Sequence, residues 1–92
     1  MIRRFNHKGL KKLHESGDRS GIRPDFVDAA ENILMLLDAA TTPQGLDLPR
    51  LHLHPLKGEM RGYWAVTVRA NWRIIFKFED GNAEDVELID YH

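Results

Sequence analysis

The feature that most limits what this chain can become is a change of hydrophobic period near its middle. Before residue 41 the apolar residues recur every three or four positions, and after residue 50 every second one. Phe26, Ala30, Ile33, Leu37 and Ala40 make one stripe along a helix predicted over residues 24–40, widened by Leu34, Met35 and Leu36. Pro24 suits the first turn of that helix, and Asp25, Asp28 and Glu31 suit its positive end. Thr41-Thr42-Pro43 stops it, and residues 43–49 form a polar connection. A shorter helix over residues 7–16 carries Leu10 and Leu13, with Gly17 placed for a left-handed cap and a turn at 20–23.

Beyond residue 50 the pattern predicts strands. Leu51, Leu53 and Pro55 alternate with Arg50, His52 and His54. Trp64, Val66 and Val68 alternate with Tyr63, Ala65, Thr67 and Arg69. Trp72, Ile74, Phe76 and Phe78 alternate with Arg73, Ile75 and Lys77. Asp80-Gly81 is a hairpin signal, followed by a last strand over residues 86–91, and residues 2–5 add a short strand at the start. Strand, two helices, then four strands describe an α+β fold: an antiparallel sheet with both helices packed on one face. The other face then carries Tyr63, Thr67, Arg69, Arg73 and Lys77. Arginines between aromatics suit a surface that grips phosphates and stacks bases, although open sheet faces are commonly polar in any case.

Ninety-two residues give one domain, residues 1–92, with no room for a second core. The absence of cysteine excludes disulfides and thiolate metal sites. No apolar run is long enough to span a bilayer, and the polar start lacks a signal-peptide core, so a cytoplasmic location is expected. The net charge of −1 hides a segregation. Residues 1–23 carry a balance of +5 and residues 50–77 again +5, against −5 over 24–49 and −6 over 78–92. Folded one way, such a chain builds a positive face for a polyanion; folded another, its charges pair.

If the polyanion is RNA and no metal takes part, cutting it needs a base for the ribose 2′-hydroxyl, an acid for the departing 5′-oxygen and fixed cations for the charge on phosphorus. His52-x-His54 puts two imidazoles on one face of a strand, but no zinc or calcium motif accompanies it, so no metal is expected. Neither a Walker loop nor a GxGxxG is present, and no cofactor is expected. Candidates for metal-free chemistry fall in two places: His54 and Lys57 within Leu53-His54-Pro55-Leu56-Lys57-Gly58, and the terminal Asp90-Tyr91-His92. Histidine titrates near neutrality and can exchange protons, while Lys57, Arg69 and Arg73 can supply charge. Taken singly, a strand histidine is usually a surface residue and a terminal one a frayed end.

Those two blocks, together with Phe5-Asn6-His7-Lys8-Gly9-Leu10 and the run from Arg61 to Phe76, resemble the HigB-type toxins of the RelE superfamily across essentially the whole chain. Trp72-Arg73-Ile74-Ile75-Phe76 is a superfamily feature that argues fold; His54-Pro55-Leu56-Lys57-Gly58 and Asp90-Tyr91-His92 are more specific. The resemblance implies a RelE-like fold and ribosome-dependent cleavage of mRNA in the A site, leaving a 2′,3′-cyclic phosphate and a 5′-hydroxyl. It implies a reacting cluster of His54, Lys57, Asp90, Tyr91 and His92, phosphate binding by Arg69 and Arg73, and Asn71 at the substrate edge. Within that cluster His92 or Asp90 is expected to move protons, His54 to orient or stabilise charge, and Tyr91 to stack on a base. The implied partner is a HigA-type helix-turn-helix antitoxin. Two other classes fit the pattern less well: a ParE-like gyrase inhibitor, which needs no His54 or terminal Asp-Tyr-His, and a basic nucleic-acid-binding module without toxicity.

Overall fold

His7 sets the start of the first helix. Its backbone is extended, and its Nδ1 accepts the Leu10 N–H at 3.1 Å, satisfying a donor that a helix start leaves open. Helix α1 (Lys8–Ser16) ends at Gly17, whose φ of 72° lets its N–H return to the Leu13 carbonyl. One 3₁₀ turn, Pro24–Phe26, leads into α2 (Val27–Ala39). The computed structural model describes residues 1–91 of the chain.

Four strands follow: β1 (His54–Pro55), β2 (Trp64–Arg69), β3 (Trp72–Glu79) and β4 (Asn82–Asp90). They lie in chain order, each antiparallel to the next. Asp80 and Gly81 both take positive φ, 52° and 78°, and so turn β3 into β4 as their sequence promised.

Three expectations need correction. Residues 2–5 form no regular strand: only Ile2 and Phe5 bridge to Ala83 and Val86, and they run parallel to β4. The alternation from Arg50 to Pro55 is not a six-residue strand. Pro49–Leu51 is a 3₁₀ turn, His52 is left-handed at φ 51°, and only His54–Pro55 pair with β2. The two imidazoles therefore do not share a strand face. The last strand begins four residues earlier than the hydrophobic pattern suggested, and a bulge in it holds Asp85 at φ 52°.

The predicted division of the sheet holds on one side. Val66, Ile74, Phe76, Ala83 and Val86 are buried against Leu10, Leu13, Phe26, Ile33, Leu34 and Leu37, and Trp64, Val68, Trp72 and Phe78 pack around them. Burial of each large side chain contributes about 1.5–3 kcal/mol, so this layer carries most of the stability. The opposite face is less polar than expected. Leu56, Ala65 and Ile75 are buried there beneath Met60, Tyr63 and Ile89. Sheet register arranges that face in rows: His54, Ala65, Ile75 and Glu87 in one, Thr67, Arg73 and Ile89 in the next.

Candidate active site

His54 is fixed by its own strand entrance. The left-handed His52 turns its carbonyl back, and the His54 Nδ1 lies 2.8 Å from that oxygen. A carbonyl only accepts, so Nδ1 carries the proton and Nε2 keeps its lone pair when the ring is neutral. The ring is half-buried on the helix-free face, at the end of the row floored by Ala65 and Ile75.

Tyr91 reaches the same place from the other end of the sheet. Its N–H donates to the Asn71 carbonyl at 2.7 Å, which anchors the residue just past β4 to the β2–β3 turn. The residue is 41% exposed, and its ring centre lies 6.4 Å from that of His54, the rings tilted by 53°. A phenol thus stands beside an imidazole with one side open to solvent. Asn71 itself is exposed.

Arg73 faces the same side, but its environment differs from the expected free surface cation. It is half-buried, and its Nη1 donates to the Ala70 carbonyl at 2.6 Å and the Trp72 carbonyl at 3.2 Å. Its Nε is buried with no hydrogen-bond partner among the described residues. The physical reason is the turn itself: Ala70 at φ 52° directs its carbonyl at the guanidinium. The two hydrogen bonds tie the guanidinium to the β2–β3 turn.

The remaining predicted residues are gathered less tightly. Lys57 is exposed in the extended segment after β1, ahead of the 3₁₀ turn Gly58–Met60, and has no ion-pair partner among the described residues. Arg69 is exposed at the end of β2, where it pairs in register with Trp72. Asp90 ends β4, opposite Trp72. His92 lies outside the described residues. At the far end of the face, the Lys77 ammonium sits 4.6 Å from the Tyr63 ring centre. Sequence reading missed the His52 carbonyl and the apolar floor of Leu56, Ala65 and Ile75. The first is a backbone group that no side-chain pattern reveals; the second had a signal, since Ala65 and Ile75 are apolar residues on the supposedly polar side.

An imidazole with a set tautomer, a phenol and an arginine tied to a turn thus share one face, with exposed amide and cationic groups nearby. Residues 3–92 match the family model described as the RelE-like toxin of the type II toxin-antitoxin system HigB. The chain belongs to the HigB family. It is 48% identical over 92 residues, covering 100% of both chains, to the protein named Endoribonuclease HigB of Proteus vulgaris. It is 29% identical over 90 residues to Toxin HigB-1 of Vibrio cholerae serotype O1, covering 96% of this chain and 95% of that one. A crystal structure of a YafQ mutant from E. coli superposes with a TM-score of 0.54 at 21% identity, covering 94% of this chain and 91% of that one, a likeness of fold.

Proposed function

We propose that this chain cuts messenger RNA in the ribosomal A site, by attack of a ribose 2′-oxygen on the adjacent phosphorus. That it is an endoribonuclease toxin of a type II toxin–antitoxin system goes with its family and its 48% identical relative. The reaction course is the proposal, and the observation that carries it is the 2.8 Å contact between His54 Nδ1 and the His52 carbonyl.

With that nitrogen committed, Nε2 takes the 2′-hydroxyl proton as the new oxygen–phosphorus bond forms. The bond from phosphorus to the 5′-oxygen breaks, and that oxygen receives a proton from Asp90 or His92. The products are a 2′,3′-cyclic phosphate and a 5′-hydroxyl. Arg73 steadies the charge on phosphorus, with Lys57 and Arg69 drawing in the backbone, Asn71 at the substrate edge and Tyr91 stacking on a base. This course gives His54 one of the two proton transfers, where the resemblance implied orientation or charge stabilisation for it, and leaves the other with Asp90 or His92. The antitoxin that the system pairs with this chain is proposed to be HigA-type, carrying a helix-turn-helix. Work on ribosomes would take place in the cytoplasm, and no helix among the described residues is long and apolar enough to cross a membrane.

The test is cleavage of mRNA on programmed ribosomes with mapping of both new ends. His54→Ala should slow single-turnover cutting by at least ~10²-fold with an unchanged melting temperature, as expected for loss of a proton-transfer group. Full-rate cutting by this variant removes His54 from the chemistry. Intact RNA with the wild-type protein, together with inhibition of DNA supercoiling, would overturn the reading in favour of a gyrase-directed toxin.

A further inference from the structure

A cleft between α2 and the edge of β2 plays no part in the proposed chemistry. It has a volume of about 510 Å³, within the roughly 300–1,000 Å³ range of small-ligand sites. One wall is the first half of α2, with Asp28, Ala29 and Asn32; the other is the outer edge of β2 at Thr67 and Val68, with Arg50 and Leu51 closing the end. The cleft exists because β1 is so short. His54 and Pro55 pair only with Ala65 and Trp64, so among the described residues no strand pairs with the outer edge of β2 beyond them.

Its polar groups are unspent. Asn32 and Thr67 are half-buried, Arg50 is exposed, and none of the three side chains has a hydrogen-bond or ion-pair partner among the described residues. Asp28 is different, since Arg19 approaches it at 3.4 Å and offsets its charge. Here a primary amide, a hydroxyl and a guanidinium surround an apolar floor of Leu51 and Val68, the combination that reads the edge of a flat heterocycle.

Position supplies the rest. Thr67 lines the cleft and is also the register partner of Arg73, so the backbone of the cleft's wall is one strand spacing from that of the residue proposed to bind phosphate. We infer that this cleft accepts one nucleobase of the RNA flanking the scissile phosphate, and that Asn32, Thr67 and Arg50 select which base it is. The inference rests on the ribonuclease reading of the neighbouring face.

The experiment measures cleavage on programmed ribosomes whose mRNAs carry each of the four bases, in turn, at each position flanking the cut. Asn32→Leu should lower kcat/KM on the preferred message and flatten the preference at one position, by roughly 5- to 150-fold, the range for a good base contact. Ala29→Leu, which fills the cleft without removing a polar group, should lower kcat/KM on every message. Asn32→Asp keeps the shape and replaces an amide donor by an acceptor, so it should change which base is preferred, an effect no loss of folding produces. Wild-type preferences retained by all three variants overturn the inference. So does retention of those preferences with weakened capture of the antitoxin, which would make the cleft a protein-docking surface. A wild-type protein that cuts none of the messages overturns the ribonuclease reading instead, and this inference falls with it.

Discussion

The two faces of the sheet are built from the same three long strands, yet they are packed in different ways. On the helix-covered face the large side chains Ile74, Phe76 and Val66 are wholly buried in one continuous layer with α1 and α2. On the other, three buried residues, Leu56, Ala65 and Ile75, make a small floor from which His54, Arg73 and Tyr91 are held at the margin. Alternation along a strand lets one segment serve both purposes, because a residue and its neighbour point to opposite sides. Stability and chemistry are thereby separable by a single step in sequence.

That separation can be broken most sharply at Phe76. Its truncation to alanine should cost about 3–5 kcal/mol, as for other buried aromatics, and urea denaturation should show the loss as a shifted midpoint. Activity should then disappear through unfolding, recovering under conditions that restore the fold. A shift below about 1 kcal/mol would mean the helix-covered layer is not the main source of stability.

Three positions away, Arg73 should behave in the opposite way. Arg73→Ala removes one donor to the developing charge, a loss of about 3–4 kcal/mol in transition-state stabilisation read as single-turnover cleavage. Its stability should change by no more than about 1 kcal/mol, since two hydrogen bonds to turn carbonyls are lost while a buried, unpartnered Nε is removed. Arg73→Lys should recover only part of the rate, because an ammonium lacks the planar fork. Unfolding of Arg73→Ala would show that the arginine holds the β2–β3 turn together and would join the two faces in one role.

The smallest effect concerns the sheet's edge, which belongs to neither face. Arg4 reaches Glu84 at 3.3 Å and Asp85 at 3.5 Å, but its side chain is 64% exposed. Arg4→Ala should therefore cost less than about 1 kcal/mol, shrinking further as salt is added. A larger, salt-independent loss would mean that the parallel pairing of residues 2–5 with β4 depends on this residue.

Much of this division was legible in the sequence. The stripe of α2 and the alternation of β3 are long, regular patterns, and each reflects a real buried face. The Asp80-Gly81 turn was readable because its backbone requires residues tolerant of positive φ. Legibility failed where short-range geometry overrides periodicity. Leu51 and Leu53 alternate like a strand, but Pro49 starts a 3₁₀ turn and His52 reverses the chain, so only His54–Pro55 pair. Of the candidate residues, Arg73 lies on the open face where the alternation put it, and the rings of His54 and Tyr91 come together although they are far apart in sequence. What the pattern could not hold was the Ala70 carbonyl that ties Arg73, or the cleft at Asn32, because neither a carbonyl nor a gap leaves a periodic trace.

His52 gives the division its most practical consequence. Its contribution to the neighbouring imidazole is made by a backbone oxygen, and its positive φ is what aims that oxygen. A survey of substitutions at residue 52 should therefore sort by tolerance of left-handed backbone and not by chemical likeness to histidine. Glycine and asparagine would pass; valine, isoleucine and proline would fail, with the protein still folded but slow. Such a profile, in which glycine replaces a histidine better than any branched side chain, is the mark of a residue whose shape matters more than its ring.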